Sequence, residues 1–163
     1  VAEGCAAELE SILDFPVGAV PLEDREDAVR KSDIIFTVTT GDMALFEHSW
    51  LKPGAFVARL GSYQEVALDV IIKADKVVVD NWGYVSPRIP EIIKLVGDGR
   101  FSHQQVYGTW PDIVAEVLPG RETTDEIIVY IALGIWGEYA AILPEAYRRA
   151  KAMELGQVLP CSH

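Results

Sequence analysis

Apolar and polar residues follow two rhythms along this chain. Four short runs are almost wholly apolar: Asp33–Thr39, Ala55–Leu60, Lys76–Asp80 and Glu126–Ala132. Five of the seven residues in the first run are β-branched, and none of the four shows polar alternation. Such runs predict strands buried on both faces, as in a parallel sheet covered by helices. A six-residue stretch of weaker character, Phe15–Val20, predicts a further short strand. Between the runs the spacing becomes helical. Ala6, Leu9, Ile12 and Leu13 predict a helix over Val1–Leu13. Asp24–Lys31 carries acids in its first turn and Arg30 and Lys31 in its last, the polarity a helix dipole favours. Glu65–Lys73 predicts another helix. Trp82–Gly99 and Arg100–Thr124, interrupted by Pro87, Pro90, Pro111 and Pro119, predict short helices and loops.

The last element is the longest. Trp136, Tyr139, Ala140, Leu143, Ala146, Tyr147, Ala150 and Met153 advance by threes and fours to form one apolar stripe. Gly156 can cap its end. Pro144 removes one backbone hydrogen bond and is expected to kink or split the helix. Alternating strands and helices imply an α/β domain with a mostly parallel sheet flanked by helices and a long C-terminal helix. The expected division is residues 1–134 for the sheet domain and 135–163 for the terminal helix.

Composition narrows the choice of partners. The chain has 163 residues and a formal charge of −11, with half its residues hydrophobic. That charge argues against nucleic acid, since no net positive field attracts phosphates. It argues equally against a polybasic membrane anchor. The longest apolar run, Ile127–Gly137, is too short to span a bilayer, which takes about 20 residues in a helix. No basic leader is visible, and Cys5 and Cys161 form no disulfide framework, so a cytoplasmic setting is expected. The chain begins with Val rather than Met, which points to a piece of a longer protein.

In open α/β sheets ligands bind beyond the carboxyl ends of the strands. There the sequence places Thr39-Thr40-Gly41-Asp42, Gly61-Ser62-Tyr63, Asp80-Asn81-Trp82 and Gly134. Hydroxyls and glycines can serve a ribose or a phosphate, and each group alone also reads as turn chemistry. Four such strand ends together favour a nucleotide cleft. Gly97-Asp98-Gly99 follows a helical pattern and lacks a third glycine, because Ser102 stands there, so it is no dinucleotide fingerprint. No P-loop occurs. His48, His103 and His163 lack paired-ligand spacing, so no metal site is expected. Neither cysteine is expected to be a catalytic thiol, and the four tryptophans are read as packing residues. Most acids read as a solvated surface. Arg59 sits in a run that otherwise reads as buried, so it needs a partner or an exit to the cleft. The simpler reading is a strand-end residue whose head reaches water.

Taken in order, several stretches resemble the ornithine cyclodeaminase/mu-crystallin family. They are Asp27–Thr40, Trp50-Leu51-Lys52-Pro53-Gly54-Ala55-Phe56-Val57, Gly61-Ser62 and Ala74–Asp80. Further on come Gly120-Arg121 before Asp125-Glu126-Ile127, then Gly134 and Ala146–Ala150 through to Leu155-Gly156. The resemblance covers nearly the whole chain in collinear order. It implies part of an NAD(P)-binding Rossmann domain. Val38, Thr39, Thr40, Leu60, Gly61, Ser62 and Gly134 would line the nicotinamide and ribose side. It also implies an amino or imino acid as substrate, and a homodimer or higher oligomer. The family's Gly-rich phosphate loop and its substrate residues lie upstream of what this chain contains. Its terminal helix normally returns to the dimerisation domain.

Three positions depart from the family pattern. Family cyclodeaminases carry an aspartate two positions after the glycine matching Gly61, whereas this chain has Tyr63. Asp69 matches a different family position. A phenol, with a pKa of about 10, can donate a proton to an imine nitrogen but is a poor base at neutral pH. Tyr63 is therefore the candidate catalytic residue, as a proton donor. Tyr139 replaces the aspartate usual after the last strand, and Arg88-Ile89-Pro90-Glu91 stands for the usual Arg-Gly-Glu. The functions these features imply are hydride transfer as an imine reductase, amino-acid dehydrogenase or cyclodeaminase. The alternatives are a non-catalytic, crystallin-like binding protein and an assembly module that completes its sheet with another copy.

Overall fold

A computed structural model describes residues 2–157 and 159. Cys161 and His163 lie outside the described residues. The chain divides into two compact units, Val1–Leu133 and Gly134–His163. The first holds a parallel sheet built from β1 (Ile34–Thr37), β2 (Phe56–Arg59), β3 (Lys76–Val79), β4 (Gly108–Thr109) and β5 (Ile128–Ile131). Their spatial order is β1-β2-β5-β3-β4, and every pairing is parallel. Four of the five strands are the runs expected from the sequence, trimmed at their ends. The two-residue β4 was expected to be helix or loop. It is too short, and too poor in β-branched residues, to leave a pattern.

α1 (Ala2–Ile12) and α2 (Arg25–Lys31) precede the sheet, and α3 (Leu68–Ile72), α4 (Trp82–Val85), α5 (Pro90–Gly97) and α6 (Trp110–Val114) lie between its strands. The register stacks Ile35, Val57, Val129 and Val77 in one row, and Thr37, Arg59, Ile131 and Val79 in the next row on the same face. This face forms the core with Val70 and Ile71 of α3 and Ile92 and Leu95 of α5. Pro90 sits in the first turn of α5, where its missing N–H costs nothing.

Four expectations need correction. Phe15–Val20 forms no strand; a strand needs a hydrogen-bonding neighbour, and none of the five strands pairs with this stretch. β1 is not buried on both faces. It is an edge strand whose Ile34 and Phe36 are 58% and 66% exposed, as is Val38 just beyond its end at 70%. The helix over Glu65–Lys73 is only the five residues of α3, because Glu65 and Val66 give their amide hydrogens to the Glu91 carboxylate. Trp136 is not a packing residue, being 83% exposed.

The second unit is helical. It contains α7 (Trp136–Ala152), which runs unbroken through Pro144. The one backbone hydrogen bond that Pro144 removes is too little to interrupt the helix, so no split results. Gly134 has φ +81°, a left-handed conformation that favours glycine, and a side chain there would run into the Tyr139 hydroxyl.

Candidate functional site

The carboxyl ends of β1 and β2 lie side by side and are tied by one acid. Glu65 is fully buried. Its carboxylate accepts hydrogen bonds from the Thr37 hydroxyl at 2.8 Å, from the Gly61 amide at 2.9 Å, and from the Thr39 amide. The Leu60 amide also donates to the Thr37 carbonyl at 2.9 Å. Burial pushes the Glu65 carboxyl up. The hydrogen bonds from Thr39, Thr37 and Gly61 outweigh that and hold it below its ordinary value. The structure therefore brings two predicted groups, Val38–Thr40 and Leu60–Tyr63, into one cluster. Val38, Thr40, Ser62 and Tyr63 are exposed on its rim. Gly61 is needed for a local reason: the space its side chain would take is filled by the Glu65 carboxylate.

Arg59 does not send its head to water, as its strand-end position had led one to expect. The side chain is fully buried, because its guanidinium turns under the loop instead of out of it. It pairs with Glu91, Nη2 to Oε2 at 3.0 Å and Nε to Oε1 at 3.4 Å. It also donates to the carbonyls of Gly61 and Tyr63. Glu91 sits in the first turn of α5, where the helix dipole favours a negative charge. Its Oε1 further accepts from the amides of Glu65 at 2.8 Å and Val66 at 3.1 Å.

At the next strand ends a third buried acid plays a similar part. Asp80 follows β3 and accepts from the amides of Asn81 at 2.7 Å and Leu133 at 2.8 Å, so it joins the ends of β3 and β5. Glu65 and Glu91 were not singled out as site residues from sequence. The available signal was Arg59 itself, since a buried cation implies a buried acid. Gly134 belongs to the second unit. His48 and His103 lie in separate short helical turns, and His103 stacks on Trp82 with ring centroids 5.5 Å apart. Cys5 is exposed on α1.

A groove of about 410 Å³ lies elsewhere in the first unit, against the opposite face of the sheet. Ile34, Phe56, Ile128, Tyr107 and Trp110 line it, with Lys76 at one side. Its strand residues run from the amino ends of their strands, at Ile34, Phe56, Lys76 and Ile128, to Val78 and Tyr130 on the same face, away from the carboxyl-end cluster where an open parallel sheet binds its ligand. No helix among the described residues is long and apolar enough to cross a membrane.

Comparison with known proteins decides the ancestry. The ornithine cyclodeaminase/mu-crystallin family matches residues 1–154. The chain belongs to this family. N-((2S)-2-amino-2-carboxyethyl)-L-glutamate dehydrogenase of Staphylococcus aureus is 32% identical over 143 residues, covering 88% of this chain and 42% of the relative. Delta(1)-pyrroline-2-carboxylate reductase of Bacillus cereus is 28% identical over 146 residues, covering 87% and 44%. Among solved structures, Thermococcus litoralis Delta(1)-pyrroline-2-carboxylate reductase in complex with NADH and L-proline superposes with a TM-score of 0.87. It is 25% identical and covers 97% of this chain and 49% of its own. An archaeal alanine dehydrogenase dimer with bound NAD gives a TM-score of 0.82 at 22% identity, a likeness of fold, over 99% of this chain and 49% of its own. The chain thus spans less than half the length of the relatives it matches. Its parallel sheet is the Rossmann-like fold of this family.

Proposed function

We propose that this chain supplies the nicotinamide side of an NAD(P)-dependent oxidoreductase acting on an amino or imino acid. The observation that carries the reading is the joined end of β1 and β2. There Glu65 locks the backbone while Val38, Thr40, Ser62 and Tyr63 stay exposed above it. A flat ring can lie on such a floor without meeting a mobile loop, and the rim hydroxyls can serve a ribose. These residues fit that half of a dinucleotide. The 163 residues carry no Gly-rich phosphate loop, so the pyrophosphate is assigned to none of them. When bound, the nicotinamide gives or takes a hydride. What this chain adds is position and a proton: Val38, Thr39, Thr40, Leu60, Gly61 and Ser62 orient the ring, and the half-exposed Tyr63 phenol donates to the substrate nitrogen. The NADH and L-proline held by the Thermococcus relative support the choice of cofactor and substrate class. A cytoplasmic homodimer belongs to the same proposal, supported by the dimer of the alanine dehydrogenase.

The test is steady-state turnover of the natural gene product with NADH or NADPH and a cyclic imino acid. Its intact mass is measured alongside. Turnover that falls about a hundredfold in Tyr63→Phe, with the nucleotide KM unchanged, is the expected result. A gene product that binds amino or imino acids but never oxidises or reduces nicotinamide would place it with the non-catalytic readings.

A further inference from the structure

We infer that Arg59 and Glu91 are positioning residues for the loop Gly61–Val66, and through it for the rim that carries Ser62 and Tyr63. The cofactor half of this inference rests on the function proposed above. The conformational half does not.

Packing does not account for an arginine at this place. Position 59 lies in a row with Thr37, Ile131 and Val79, over the apolar core. Taking a guanidinium and a carboxylate out of water costs several kcal/mol each, and well-packed apolar residues in place of such a pair are often neutral or stabilising. The pair must therefore supply something an apolar contact would not. What it supplies is a set of backbone anchors. The guanidinium reaches the carbonyls of Gly61 and Tyr63, one on each side of Ser62. The Glu91 carboxylate takes the amides of Glu65 and Val66 at the far end of the same loop. The Gly61 amide is taken by Glu65. The loop is thus wound round a single ion pair that holds it at both ends, while Ser62 and Tyr63 point their side chains to solvent.

Only arginine fits this task. Its planar fork presents five N–H donors, enough for the carboxylate and both carbonyls at once. A lysine keeps the charge but concentrates three donors at one point, and cannot span the two carbonyls and both carboxylate oxygens. Sites that must hold side chains in fixed geometry need this kind of support from the residues beneath them.

The experiment uses the natural gene product, with nitrogen-15 relaxation of its backbone amides and NADH titration by fluorescence. Three proteins are compared: wild type, Arg59→Lys, and the double variant Arg59→Met with Glu91→Gln. The double variant removes both charges together, leaves an oxygen for the Glu65 and Val66 amides, and guards against simple misfolding. In wild type, order parameters at 61–63 are expected near 0.85; in both variants they should fall towards 0.6 or below, while β2, β5 and α5 keep wild-type values. NADH affinity should weaken about tenfold in both variants. Loop amides that stay rigid in Arg59→Lys would overturn the inference, since the charge alone would then suffice. A loosened loop with unchanged NADH affinity would overturn its cofactor half. If the wild-type gene product takes up no NADH, the proposed function fails, and the amides alone decide the role of the pair.

Discussion

Arg59 and Lys76 are both cations buried in a parallel sheet, at opposite ends of their strands, and they are neutralised in different ways. Arg59 closes β2 and faces one acid, with both partners wholly removed from water. Lys76 opens β3 and faces two, Glu122 at 2.6 Å and Glu126 at 3.1 Å, besides the Gly120 carbonyl at 2.7 Å and the Tyr107 ring. Its acids are 54% and 14% exposed, so water shares the load. Burial pushes the Lys76 ammonium down, but the bonds to Glu122 and Glu126 outweigh it and hold it above its ordinary value. Arg59 is therefore balanced without reserve, since the neighbouring acids Glu65 and Asp80 are taken up by backbone amides and the Thr37 hydroxyl, whereas Lys76 meets a surplus of acid open to solvent. The unreserved balance stands under the candidate site, where a fixed loop is needed. The reserved one stands at the end where none is.

That contrast can be broken most sharply at Glu91. Glu91→Ala leaves Arg59 as an uncompensated buried charge and frees two amides, and should cost about 3–5 kcal/mol in denaturant unfolding. A loss below 1 kcal/mol would mean that water reaches Arg59. Next comes Gly61→Ala, whose new methyl meets the Glu65 carboxylate, held in place by three hydrogen bonds. It should cost about 1–3 kcal/mol, and a crystal structure should show the ends of β1 and β2 spread apart.

Smaller, and dependent on pH, is Glu65→Gln. The Glu65 carboxyl is held below its unfolded value, so its stabilisation is full at neutral pH and is lost as pH falls through the carboxylate range into that lowered value. The variant should lose about 1–2 kcal/mol at neutral pH and show a flatter acid limb than wild type. An unchanged acid limb would remove Glu65 from the account of acid sensitivity. The smallest effect is expected at Glu122→Gln, since Glu126 and Gly120 still hold Lys76. The change should stay under about 1 kcal/mol and shrink further in high salt.

The sheet was legible in the sequence wherever a strand is covered. Lys76-Val77-Val78-Val79 and Ile128–Ile131 announce themselves through runs with three β-branched residues in four, and their burial follows. β1 carries an equally apolar run, yet it lies at an edge. Composition reports a strand's preference, whereas its burial depends on neighbours the run does not encode. Phe15–Val20 shows the same limit in a stronger form. At the site, Arg59 could be recognised as needing a partner. The partner, 32 residues on, follows only from the way α5 crosses the sheet. Glu65 looked like the first residue of a helix. Its task at the strand ends became visible only once Thr37, Thr39 and Gly61 were in place around it. The strand-end residues themselves were legible, because the topology of parallel sheets says where to look.

The open side of β1 also bears on how two copies of this 163-residue chain would meet in solution. On that strand one line of backbone donors and acceptors is turned away from β2, beside Ile34, Phe36 and Val38. Strands pair at about 4.8 Å, well inside the roughly 8 Å over which charges act at physiological salt. Two molecules that each carry −11 must therefore overcome their mutual repulsion before these edges can touch. Pairing of these edges in the 163-residue chain is therefore expected to grow with ionic strength, which sedimentation at low and high salt would check.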